Sequence, residues 1–210
     1  MFFGGLRMNS RVITIGREFG SGGHEIGMKL AERLGVPFYD RELITLSSEQ
    51  GGLDPKLIER NEEGAHRISE KGRSRMPFFS LSYTPDFSDA IYLQQCKVIK
   101  DLAAKGPCVI VGRCADFVLR NEGSINIFIA ASMPYKIARK RRVAVEKKDY
   151  TDEQMERYIN DMNTARANYY NHYTNQKWGN SSTYHLCVHS DLVDVDGAVE
   201  TILAYLKNIK

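Results

Sequence analysis

At 210 residues, 42% hydrophobic and 26% charged, the chain is long enough for one good-sized core, and its balance excludes a globally disordered protein. No apolar run approaches the roughly 20 residues that a membrane span requires, and a formal net charge of +3 is too small to imply a nucleic-acid polymer as partner. The opening MFFGGLR is too short, and lacks the basic-then-apolar order, for a secretory leader, so the chain reads as cytoplasmic, with Met8 as an alternative start.

In chain order, Arg11 to Ile15 (RVITI) reads as a buried strand, and a glycine-rich stretch follows it. Ile26, Leu30 and Leu34 then recur at four-residue spacing, the mark of a helix. Val36 to Asp40 (VPFYD) is a second strand. Residues 41–105 contain no strand pattern and read as a helical and loop insertion, with Asp54-Pro55 as a helix start and a Ser-, Pro- and Gly-rich stretch from Lys71 to Ala90. Cys108 to Gly112 and Ile125 to Ala130 are the third and fourth strands. Basic residues crowd into KIARKRRVAVEKK, Lys136 to Lys148. Met155, Ile159, Met162, Ala165 and Tyr169 mark one face of a further helix, Tyr184 to Ser190 is a fifth strand, and Val199, Ile202, Leu203 and Leu206 belong to a closing helix. The strands are short, buried runs rather than alternating ones, and they alternate with helices. That pattern predicts an α/β doubly wound parallel β-sheet of about five strands, with helices on both faces, in a single domain over residues 8–210. Cys96, Cys108, Cys114 and Cys187 form no CxxC pair and are expected to be reduced thiols.

The stretch ITIGREFGSGGHEIG, Ile13 to Gly27, joins a strand to a helix through four glycines. Such a turn lets backbone N–H groups converge on an anion at a helix start. It matches neither of two strict patterns. The dinucleotide fingerprint G-x-G-x-x-G fails at Glu25, and G-x-x-x-x-G-K-[ST] fails because Arg17, Gly23 and His24 stand at its first glycine, lysine and hydroxyl positions. The stretch is either a plain tight turn or a phosphate loop in which Arg17 or His24 meets the phosphate in place of the lysine.

Several segments together resemble the cytidylate kinase-like branch of the P-loop nucleoside monophosphate kinases. ITIGREFGSGGHEIG is similar to that branch's variant phosphate loop, and LGVPFYDRELI to its second strand. VIVGRCADFVL resembles the segment that presents a Gly-Arg pair to the acceptor, INIFIAAS the fourth strand, and NTARANYYNHYTNQKWG the arginine helix and its turn. Two positions depart from the better-known cytidylate kinases. Cys114 follows Gly112-Arg113 where an aspartate is expected, with Asp116 two residues on, and Asn163 precedes Arg166 by three where an aspartate is expected, with Asp161 nearby.

The resemblance implies a P-loop NTPase-type fold and ATP-dependent phosphoryl transfer to a nucleoside monophosphate, CMP or dCMP first, with ATP and Mg2+ as cofactors. It implies nucleotide substrates as partners and neither a nucleic-acid polymer nor a membrane. Gly20, Ser21, Gly22, Gly23, His24 and Glu25 would hold ATP, and Ser21 is the available magnesium ligand. Asp40, Arg41, Gly112 and Arg113 would hold the acceptor, which residues 41–105 would select. Residues 133–165 would form a lid. Arg17, Arg139, Arg142 and Arg166 would stabilise the transferring phosphoryl group, with Arg139 and Arg142, three apart, on one helix face. Taken alone, the basic run also reads as a solvated face. Tyr169, Tyr170, Tyr173 and Trp178 read as packing, and His172, His185 and His189 show no metal spacing. Two alternatives stay open: a nucleotide-binding or regulatory module that has lost catalysis, and a kinase of another small phosphoacceptor.

Overall fold

The computed structural model describes residues 11–40, 42–51, 85–143 and 149–209. The strands are β1 (Ile13–Arg17), β2 (Phe38–Tyr39), β3 (Val109–Val111), β4 (Ile125–Ala130) and β5 (Leu186–His189). They form one sheet in the order β2-β3-β1-β4-β5, and every pairing is parallel. The expected α/β parallel architecture is the one found. The first expected strand is displaced toward its C-terminal side, because pairing of Arg17 with Ile129 carries β1 two residues further.

The helices are α1 (Gly23–Leu34), α2 (Glu42–Gly51), α3 (Pro85–Lys105), the single-turn α4 (Ala115–Val118), α5 (Met133–Val143), α6 (Asp152–Thr174) and α7 (Ser190–Asn208). The described parts of residues 41–105 are thus helical, as expected there. Asp54-Pro55 and most of the Lys71 to Ala90 stretch lie outside the described residues.

Each central strand is covered twice. Val109 and Val111 join Ile13, Ile15, Ile127 and Ile129 against α1 and α7, while Ile110, from the same strand, joins Leu43, Val98, Ile99 and Leu102 against α2 and α3. Neighbouring side chains on a strand point to opposite faces, so continuous apolar runs like VIV require a helix layer on both sides. Removing one such fully buried side chain, as in Leu30→Ala, costs about 2–5 kcal/mol. One polar cluster interrupts the apolar layers. Thr14 and Ser124 both donate to the buried Asn126 Oδ1, at 2.9 and 2.8 Å, and this fixes β1 against β4 in register.

In a parallel sheet of this kind, the carboxyl ends of the strands and the helix starts that follow them share one edge. There β1 leads into the glycine stretch, and β4 leads through Ala131 and Ser132 directly into α5. α6 opens with a capping box, in which Thr151 Oγ1 accepts from the Gln154 N–H and Gln154 Oε1 accepts from the Thr151 N–H. Among the described residues, no helix is long and apolar enough to cross a membrane.

Candidate active site

The glycine stretch is a tight turn whose outer face lies against α5. Gly20 and Gly22 have φ of +88° and +85°, the left-handed region in which glycine avoids a Cβ penalty. Both also permit close approach. A Cβ on Gly20 would lie 3.0 Å from the Lys136 Cβ, and one on Gly22 3.3 Å from the Arg139 Nε. The carboxylates on either side of the turn hold these two cations. Glu18 Oε2 accepts from Lys136 Nζ at 3.0 Å and from the Ala131 N–H at 3.1 Å, and Glu25 Oε2 pairs with Arg139 at 2.5 Å. α6 grips the turn from another side. Asn163 Oδ1 accepts the Phe19 N–H at 2.7 Å, and Arg166 donates to the Arg17 carbonyl at 3.0 Å. The Phe19 ring packs edge-on against Tyr158, with Lys140 Nζ 3.8 Å from its centroid.

Gly23 stands where a phosphate-loop lysine would, and Arg17 explains why. A Cβ at Gly23 would lie 2.4 Å from the Arg17 Cβ, so the Arg17 stem fills the space any side chain there would need. From Gly23 the Arg17 side chain runs away from the loop. Its guanidinium lies over Gly112, with Nη1 2.0 Å from where a Gly112 Cβ would be, and its Nη2 reaches Asp40 Oδ1 at 3.3 Å. The sequence suggests that Arg17 takes the lysine's place over the loop; its guanidinium instead points to the next strand end.

That strand end gathers the remaining charges. Asp40, buried at the end of β2, also takes His24 Nδ1 at 2.6 Å. Burial alone would raise its pKa, but Arg17, His24 and Arg113 overcome this and hold it below the ordinary carboxylate value. Arg113 leaves β3 through three successive residues with positive φ, Gly112 (+76°), Arg113 (+58°) and Cys114 (+54°). Left-handed backbone costs a non-glycine residue about 1–2 kcal/mol, so this turn is held by the packing around it, including the buried Cys114. Burial pushes Arg113 down to about 10, with Arg17 adding to the effect. Burial, followed by the charges of Arg17 and Arg113, pushes Arg166 down to about 9. Burial also lowers Arg17, against the pull of Asp40. Arg17, Arg113 and Arg166 thus stand close enough to repel one another.

Several expected roles change. Ser21 is fully buried and its hydroxyl donates to the Glu18 carbonyl at 2.9 Å, so it is turned away from any magnesium at the loop's surface. Arg139 faces the loop, but Arg142 is exposed. Each three-residue step on a helix turns about 60° short of a full circle, and the inward pair is Lys136 with Arg139 rather than Arg139 with Arg142. Asp116 does not stand in for the missing aspartate after Arg113. It is buried and accepts the Tyr170 hydroxyl at 2.7 Å, and burial raises its pKa. Tyr92 and Tyr173 stack at 4.0 Å, and Trp178 packs edge-on to Phe128, as expected of packing aromatics. Arg41 lies outside the described residues. Lys136 and Asn163 were not singled out as contacts by the sequence. For Lys136 the available signal was its place in the first turn of a helix that starts right at the end of β4.

This sheet order, with the glycine turn between β1 and α1, is the fold of the P-loop kinases. A shikimate kinase from Bacteroides thetaiotaomicron superposes with a TM-score of 0.56 at 15% identity, over 94% of this chain and 98% of that one. A deoxyadenosine kinase from M. mycoides superposes with a TM-score of 0.51 at 14% identity, over 94% and 99%. A protein from Eubacterium ventriosum is more similar, with a TM-score of 0.68 and 30% identity over 95% of this chain and 99% of that one. Residues 12–192 match the cytidylate kinase-like family, and the chain belongs to it. No curated protein matches the sequence.

Proposed function

We propose that the chain transfers a phosphoryl group from Mg·ATP to a nucleoside monophosphate, with CMP and dCMP as the first acceptors to test. The observation that carries this reading is the continuity of the glycine turn and the arginine-rich strand end through one residue. Arg17 crosses Gly23 under the glycine turn, receives Arg166 on its carbonyl, and ends at Asp40. A donor phosphate on the turn and an acceptor phosphate at Arg113 then lie on either side of it.

Phosphoryl transfer needs alignment and charge neutralisation more than covalent help. The backbone N–H groups of the turn and of the α1 start hold the donor's β-phosphate. Arg113 forks onto the acceptor phosphate, a geometry that guanidinium suits better than ammonium. Arg17 and Arg166 face the group in transit, and Arg139 approaches from α5. Asp40 keeps Arg17 and His24 in place. Among the described residues no cluster of three or more His, Cys, Asp or Glu is arranged to hold a metal ion, and Ser21 is turned inward, so magnesium enters as part of the Mg·ATP substrate.

Incubation with Mg·ATP and a panel of nucleoside monophosphates, with ADP release as readout, tests the proposal. Turnover with a pyrimidine monophosphate supports it. Turnover only with a different small acceptor, or ATP binding without turnover on any acceptor, overturns the acceptor assignment and leaves the donor half standing. Absence of ATP binding overturns both halves.

A further inference from the structure

We infer that Lys136, on α5, supplies the cation that the glycine turn lacks, and that Glu18 holds it in reserve until a nucleotide arrives. The inference rests on the donor half of the reading above and assigns one residue within it. In the G-x-x-x-x-G-K-[ST] loop the lysine serves the β- and γ-phosphates from the helix that the loop begins. Here that route is closed, because a side chain at Gly23 collides with the Arg17 stem at 2.4 Å. Arg17 does not substitute for it, since its guanidinium is committed toward Gly112 and Asp40.

Lys136 comes to the same turn from the opposite side. Its Cβ, Cα and Cγ lie 3.0, 3.3 and 3.3 Å from where a Gly20 Cβ would be, so the backbone of α5 itself rests on the turn. Its side chain is 7% exposed and its ammonium ends 3.0 Å from Glu18 Oε2, on the first residue after β1. A buried lysine needs a partner. Glu18 is that partner, and the Ala131 N–H fixes the carboxylate from behind. A phosphate settling on the turn offers the ammonium two or three further oxygens a short rotation away. Arg139 stands one helical step further on, over Gly22, paired in the same manner with Glu25. Lysine is a compact point charge on a flexible stem, suited to exchanging one oxyanion for another.

The rival account is a purely structural staple that holds α5 against the turn. The two accounts make opposite predictions for Glu18. Isothermal titration of the full chain with ATP and with CMP, alongside thermal melts, is carried out on wild type, Lys136→Met, Lys136→Arg and Glu18→Gln. The expected result is that Lys136→Met weakens ATP about tenfold or more and leaves acceptor affinity within about twofold, while Lys136→Arg recovers part of the loss. Glu18→Gln, which keeps an acceptor but removes the competing negative charge, tightens ATP or leaves it within about twofold, although it lowers the melting temperature. Equal weakening of ATP by Lys136→Met and Glu18→Gln, or unchanged ATP affinity in a folded Lys136→Arg and Lys136→Met pair, overturns the assignment. If wild type binds no ATP, the donor reading itself has failed, an outcome distinct from either.

Discussion

The two halves of the site handle charge differently. Over the glycine turn, proposed as the donor side, Lys136 pairs with Glu18, and Arg139 pairs with Glu25, which Lys29 also approaches. At the strand end proposed as the acceptor edge, Arg17, Arg113 and Arg166 gather near Asp40, where burial first, and then the charge of Arg17, lowers Arg113 and Arg166. Matched pairs make a closed arrangement that a phosphate enters by exchange, with the protein's own carboxylate displaced. Crowded guanidiniums make an arrangement that an arriving anion relieves. The donor side is therefore expected to respond most in affinity, and the acceptor edge most in the reaction step.

Loss of a guanidinium at the acceptor edge breaks this contrast most sharply. Arg166→Ala or Arg113→Ala is expected to lower kcat/KM for the acceptor by about 100- to 1000-fold while ATP affinity stays within about threefold, as steady-state kinetics and titration with ATP will read. Arg17→Ala should follow the acceptor pattern, since its guanidinium lies at that edge; a selective loss of ATP affinity would return it to the donor side.

Next in size is the collision under the turn. Gly23→Ala is expected to destabilise the fold by about 1–3 kcal/mol, the usual penalty for forcing an extra carbon into a packed site. Pairing it with Arg17→Gly should recover most of that loss, because the clash is with the Arg17 stem. Denaturant unfolding of the two single variants and the double variant measures the coupling.

The mildest test concerns the grip of α6 on the turn. Asn163→Asp should be close to neutral, since a carboxylate also accepts the Phe19 N–H. Asn163→Ala removes the acceptor and should cost about 1 kcal/mol in thermal or denaturant unfolding.

Much of the architecture was legible in the residues. Runs such as VIV and INIFIA reveal strands buried on both faces, and the spacing of Ile26, Leu30 and Leu34 reveals the helix after the turn. Gly112-Arg113 falls at a strand's carboxyl end on sequence grounds alone, and the structure places Arg113 beside Arg17 and Asp40. What did not read through was orientation. Whether Arg139 pairs inward with Lys136 or with Arg142 depends on the direction in which α5 leaves β4, and no charge pattern carries that angle. Nor does the sequence show that Arg17, one residue before Glu18, turns toward β2 while Glu18 turns toward β4. Cys114 and Asn163 stand where a carboxylate is expected, with Asp116 two residues beyond Cys114. Asn163 and Asp116 are intelligible through their partners, the Phe19 N–H and the Tyr170 hydroxyl.

The contact between Arg17 and Gly23 also bears on how such a sequence can change. A lysine at position 23 is costly to acquire in one step, because it meets the arginine stem while the arginine still serves the neighbouring strand end. Losing the arginine first removes a charge from that edge before any replacement exists. The arginine stem thus keeps position 23 a glycine, and a side chain there is expected only in sequences where position 17 has also changed.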